Sequence, residues 1–223
     1  MVGGRVGSLG PDTVAGLLKR PWDPAAASLG QHKPRKLPGN PILVVVPSTP
    51  AGINMHSSRS QHWLSHLSAL GQVATVNMHS GSQTGRLAIT NCLDQMVAAI
   101  KAKIGEIRVN CPGRPLILIG WNTAACIASQ VSLQEQVTAV VCLGFPMLTA
   151  DGKRGEPNDT LLDMHAPTLF VIGQMATTAR CEDIEDLRER MRVETGLVVV
   201  GSADDRLRVT KSRKMKDGLT QSM

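Results

Sequence analysis

Between Pro115 and Ala124 the chain reads Pro-Leu-Ile-Leu-Ile-Gly-Trp-Asn-Thr-Ala, an aliphatic run that breaks at Gly120 into a stretch of small residues, Ala124, Ala125 and Ala128. A short apolar run closed by glycine and followed at once by a slim helical segment reads as a buried strand feeding directly into a helix. Such a strand is covered on both faces, which is the condition of a parallel sheet in an α/β architecture. The rest of the chain then has to supply further strands and the helices that cross between them.

It does. A β-branched run over 42–46 is the first strand. A helix over 58–70 carries Trp63, Leu64, Leu67 and Leu70 on one face and stops at Gly71, and a strand follows over 73–78. A long helix over 87–109 places Leu93, Met96, Val97, Ile100, Ile104 and Ile107 at helical spacing, with Pro112-Gly113 separating it from the strand at 115–119. Further strands are expected at 137–143, 168–172 and 197–200, with a Pro/Gly/Asp-rich excursion over 144–167 and a helix over 184–195 that ends at Gly196. The sum is a three-layer, doubly wound, mostly parallel sheet of about six strands. Around it, residues 1–40 read as a partly disordered extension, 41–205 as the domain and 206–223 as a basic tail.

Composition narrows the function. At 223 residues and 42% hydrophobic, the chain can bury one substantial core. No apolar stretch approaches a membrane span, and the N-terminus lacks an apolar signal region, so a soluble intracellular protein with no membrane partner is expected. Five cysteines, widely spaced and without a C-x-x-C pair, argue against a disulfide framework or zinc ribbon. The net charge of +6 is concentrated in two bunches, Lys33 to Lys36 and Lys211 to Lys216, while aromatic residues make up 2% and tyrosine is absent. Stacking platforms for nucleic acid are therefore scarce, and no direct sequence-specific nucleic-acid binding is expected. The loop Gly81 to Gly85 has neither P-loop nor dinucleotide spacing. No cofactor and no metal are expected.

In open parallel sheets the chemistry gathers at the C-terminal strand ends. Gly120-Trp121-Asn122-Thr123-Ala124 stands where an α/β-hydrolase carries Gly-x-Ser-x-Gly, the nucleophile elbow. Asn122 holds the nucleophile's place, and an amide has no hydroxyl or thiol to deprotonate. The triad acid belongs in the turn Gly173-Gln174-Met175-Ala176, where Ala176 is no acid; the triad imidazole belongs after the last strand, where Asp204 stands instead. All three triad positions read as degenerate, so no catalytic residue is assigned and a non-enzyme is expected. The alternative is a diverged hydrolase with a displaced group, for which Ser48 after the first strand and His79 after the second are the candidates at the correct edge. His62 and His66 are one helical turn apart but lack an accompanying acid or thiol, and His165 precedes its strand. Trp121 beside the elbow reads as packing.

Four segments carry a resemblance: Pro112 to Thr123, Ala139 to Pro146, Pro167 to Gln174 and Leu197 to Asp205, with Leu18 to Pro24 and Gly218 to Met223 also similar. They closely resemble the third regulatory subunits of the NSL (non-specific lethal) histone acetyltransferase complex. The resemblance implies an α/β-hydrolase-like domain without catalysis, located in the nucleus as a scaffold or regulatory subunit. It implies partners among the other subunits of a complex that acetylates nucleosomal histones, with acetyl transfer carried by a different subunit. It also implies an association with spindle-pole microtubules in mitosis. Members of that family are longer, with a Ser/Pro-rich C-terminal region, and by that comparison an α/β-hydrolase-like core lacking the closing C-terminal helix is expected.

Overall fold

The computed structural model describes residues 35–49, 51–54, 57–76, 86–149 and 152–210. The chain divides into two compact units, Met1–Arg35 and Lys36–Met223, and the sheet with its flanking helices belongs to the second. The expected extension up to residue 34, His79, the loop at 81–85 and the basic bunch at 211–216 lie outside the described residues.

The elements are β1 (Ile42–Val45), α1 (Ser58–Leu70), β2 (Gln72–Thr75), α2 (Arg86–Asn110), β3 (Leu116–Trp121), α3 (Thr123–Ser132), β4 (Ala139–Leu143), the short β5 (Leu148–Thr149) and β6 (Gly152–Lys153), a 3-10 turn (Thr160–Asp163), β7 (Thr168–Gly173), α4 (Cys181–Arg190) and β8 (Thr195–Val200). Six strands form one sheet in the order β2-β1-β3-β4-β7-β8, every neighbouring pair parallel. From β1 the chain crosses to β2 on one side and then returns past β1 to β3 on the other. With the right-handed crossovers that are the rule for parallel strands, this order puts α1 on one face and α2 and α3 on the opposite face; α2 packs against α3. The winding reverses between β1 and β3, so a crevice is expected beyond the C-terminal ends of those two strands.

All four residues of β1 are buried, the result of helices on both faces. Met96, Ile100 and Ile104 of α2 are fully buried against the slim α3, in which Ala124, Ala125 and Ala128 are buried as well. Two buried hydroxyls in α3 bond their own helix: Ser129 Oγ donates to the Ala125 carbonyl at 2.9 Å and Ser132 Oγ to that of Ser129 at 2.7 Å. That disposes of their polarity inside the core.

Three sequence expectations are corrected. Leu93, expected in the core with its helical stripe, is 43% exposed and borders a surface cleft instead. The helix expected over 184–195 runs from Cys181 to Arg190, because Met191 leaves helical geometry (φ −69°, ψ 139°) and is itself buried. Gly196 is no helix stop but sits inside β8, paired with Leu169. The excursion after β4 is also more than a loop. Phe145, Met147, Leu161 and Met164 are fully buried, and Phe145 meets Phe170 of β7 edge-on with centroids 5.5 Å apart. The excursion is pinned by Arg154, which holds Asp159 with two hydrogen bonds of 2.7 and 2.9 Å.

Candidate functional site

The crevice at the winding reversal is built around Asn122. Its backbone sits at φ 53° and ψ −119°, a left-handed conformation that a side-chain-bearing residue rarely adopts, costing on the order of 1–3 kcal/mol. The surroundings hold it there. The Asn122 N–H donates to the Leu143 carbonyl of β4 at 2.7 Å, and the Asn122 carbonyl accepts from Ala125 N at 2.8 Å. A Cβ on Gly120 would lie 2.5 Å from Ala125 N, so only glycine lets α3 start this close to the end of β3. The strained strand-to-helix elbow is present, with an amide at its apex: Asn122 Nδ2 is 3.4 Å from the Gly144 carbonyl, and Asn122 Oδ1 is 3.5 Å from Thr123 Oγ1.

Ala176 lies in the turn after β7, its N–H donating to the Gly173 carbonyl at 3.1 Å, and offers a methyl group where an acid would stand. Asp204 follows β8 and is engaged locally. Its carboxylate accepts from Arg206 N (2.9 Å), Arg208 N (2.8 Å) and Arg208 Nε (3.0 Å). Burial works to raise the Asp204 carboxyl, but the bonds from Arg208 and Arg206 outweigh it and leave it below the ordinary value.

Sequence reasoning passed over the next residue. Asp205 accepts from Thr177 N, Thr177 Oγ1, Thr178 N and Thr178 Oγ1 at 2.6 to 3.0 Å, tying the loop after β8 to the loop after β7. Burial pushes against its ionised form, and the four donors overcome that to lower its pKa. The same loop lies tight over the strand ends. Met175 N donates to the Ala203 carbonyl at 2.8 Å, and a Cβ on Gly144 (φ +60°) would come within 2.5 Å of the Asp205 carbonyl. A run of Asp-Asp after the last strand was the available signal, but its partners are set by the fold.

Two cavities meet at the elbow. One, of about 400 Å³, is bordered by Ser48, Arg59, Trp121, Asn122, Arg206 and Arg208. The other, of about 280 Å³, is more apolar, with Val45, Ile53, Ile119 and Leu143 in its wall, and shares Ser48, Trp63 and Trp121 with the first. Trp121 does pack, edge-on to Trp63 with centroids 6.0 Å apart, but it also faces both cavities. A third cleft, of about 470 Å³, runs from Asn122 past Cys126 to Leu148.

Among the described residues, no histidine borders any of the three. His62 and His66 meet on the exposed side of α1 with their rings tilted by 59°, His66 Nδ1 donating to the His62 carbonyl at 2.8 Å, and His165 is exposed ahead of β7. Ser48 is thus an exposed hydroxyl in the crevice without a described imidazole, and a hydroxyl without a base stays protonated. Two thiols near the elbow are no better as nucleophiles. Burial raises the Cys126 pKa, and it pushes that of Cys142 up to about 12. No group of three or more metal-ligating side chains occurs among the described residues.

Comparison with known proteins bears on the fold. The family described as alpha/beta hydrolase domain matches residues 45–222. Protein sumv-2 of Caenorhabditis elegans is 30% identical over 131 residues, covering 58% of this chain and 11% of that protein, so the match spans about a tenth of the relative's length. Among solved structures, an alpha-beta serine hydrolase homologue from Coxiella burnetii superposes with a TM-score of 0.55 at 14% identity, covering 85% of this chain and 86% of that one. XC6422 from Xanthomonas campestris, an α/β serine hydrolase without a lid, gives 0.53 at 13% identity, covering 83% of this chain and 82% of its own.

Proposed function

The chain belongs to the alpha/beta hydrolase domain family, and from that premise we propose that it is a non-catalytic member serving as a scaffold or regulatory subunit of a nuclear histone acetyltransferase complex of the NSL type. One observation carries the non-catalytic half: the strained elbow is kept at Asn122, φ 53°, with a residue that cannot attack. Ala176 and Asp204 leave the neighbouring strand ends without an acid-imidazole pair, and Asp204 is committed to Arg208. The chromatin half rests on the resemblance of 112–123, 139–146, 167–174 and 197–205. These segments are β3 with its elbow, β4, β7 and β8 with the loops that follow them, the part of the fold a pseudoenzyme would retain for shape. Acetyl transfer falls to another subunit.

The test is affinity purification of the full chain from nuclear extract, with partners identified by mass spectrometry. The acetyltransferase subunits should co-purify. Stable interfaces draw their affinity from packed apolar anchors, whereas rim charges mainly set association rate. Neutralising Lys211, Arg213, Lys214 and Lys216 should therefore leave recovery intact, and Gly120→Val, which places a branched side chain against the α3 backbone, should abolish it along with the circular dichroism signal of the fold. Recovery of no acetyltransferase subunit by the folded chain would overturn the reading.

A further inference from the structure

The cationic rim of the crevice calls for its own explanation. Three arginines border the larger cavity, Arg59 from the first turn of α1 and Arg206 and Arg208 from the loop after β8. Two elements remote in sequence therefore converge their positive charge on one concave surface. Arg208 is partly neutralised by Asp204, 2.9 Å away. Arg59 and Arg206 take part in none of the ion pairs among the described residues. Arg59 lies over the Trp121 ring, 5.9 Å from its centroid, a cation–π placement that orders the guanidinium beside the cavity. Asp205 forms no ion pair with the rim, its oxygens accepting instead from Thr177 and Thr178. Next to the rim lies the apolar slot of about 280 Å³, walled by the two indoles, Val45, Ile119 and Leu143.

We infer that this crevice is a binding site for a small organic oxyanion, a carboxylate or phosphate monoester whose single-ring or short acyl body enters the apolar slot beside the Trp63–Trp121 pair while its head meets Arg59 and Arg206. Guanidinium groups match both heads because their planar fork bonds two oxygens at once. The cavity volumes are those of small-ligand pockets, apolar walls with a few polar groups at one end. The inference stands apart from the scaffold reading, since a subunit with any partners can carry such a site.

Isothermal titration of the full chain with phenyl phosphate, benzoate, inorganic phosphate and phenol tests it, with tryptophan fluorescence as a second readout. The two ring-bearing anions should bind, and which binds tighter identifies the preferred head. Inorganic phosphate and phenol should bind at least about tenfold more weakly, since each lacks one half of the ligand. Arg59 and Arg206 are exposed, so Arg206→Gln alone and the Arg59→Gln/Arg206→Gln pair should fold normally by circular dichroism and weaken both anions, the pair by about tenfold or more. Lys103→Gln, a remote loss of charge, should leave affinity unchanged. Phenol binding as well as phenyl phosphate, undiminished binding by the double variant, or no binding of either anion at about 10 mM would overturn the inference.

Discussion

At Asn122 the backbone conformation and the side chain tell different stories. The first is that of a working nucleophile elbow, φ 53° and ψ −119°; the second cannot react. Strain of this kind persists only where neighbours enforce it, here the Leu143 carbonyl and the approach of α3 to Gly120. Substitution should expose it. Asn122→Gly, free of the steric penalty, should melt no lower than the parent, whereas Asn122→Val, β-branched at a positive φ, should lose about 1–3 kcal/mol in urea unfolding. Equal stability of the valine variant would mean that the elbow is relaxed. The spacing of Gly120, Asn122 and Ala124 made this position legible in sequence because the turn demands small residues at fixed offsets. The arginine rim was not legible, because Arg59 and Arg206 stand 147 positions apart by their numbering (206 − 59) and only the parallel sheet brings their elements to one edge.

At the scale of elements, the loops after β7 and β8 behave as one unit through Asp205. Its four hydrogen bonds are charge-assisted, and Asp205→Ala leaves two threonine amides to find water, so a loss of about 1–3 kcal/mol is expected by thermal or urea unfolding. The excursion after β4 has a similar clasp with a pH signature. Burial pushes the Asp159 carboxyl up, but hydrogen bonds from Arg154, Gly155 N and Leu161 N and the Arg154 charge outweigh it, holding it at about 2 against an ordinary 3.8. A depressed folded-state pKa contributes stability that is complete above the ordinary value and fades as pH falls from there toward about 2. Allowing for solvent screening, the parent should lose about 1–2 kcal/mol over that window relative to Asp159→Asn, measured as urea midpoints at about pH 5 and about pH 2. Identical pH profiles would remove Asp159 from the account. The periodic elements were readable: α1 runs from Ser58 to Leu70, the span its apolar face and Gly71 predict. Packing of the excursion was not, because Phe145 with Met147 and Leu161 with Met164 are two isolated pairs, too short to establish a period, and tertiary fit buries them.

Across the whole molecule, one winding reversal places the elbow, two indoles and three arginines around a single crevice, while the groups that made such crevices catalytic in the family's serine hydrolases are replaced or absent among the described residues. A fold does not by itself carry a reaction; the groups placed on it do. An oxyanion ligand and a complex-forming surface are both compatible with that geometry, since neither requires a nucleophile. What the account does require is that no ester bond be broken here. The measurement is hydrolysis of short activated esters by the full chain, against a heat-denatured control, together with fluorophosphonate labelling of the parent and of Asn122→Ser. The prediction is turnover equal to the control and no labelling of either protein, because a serine installed at position 122 finds no base among the described residues. Turnover above the control that disappears in Ser48→Ala or His79→Ala, or labelling of the new serine, would contradict it.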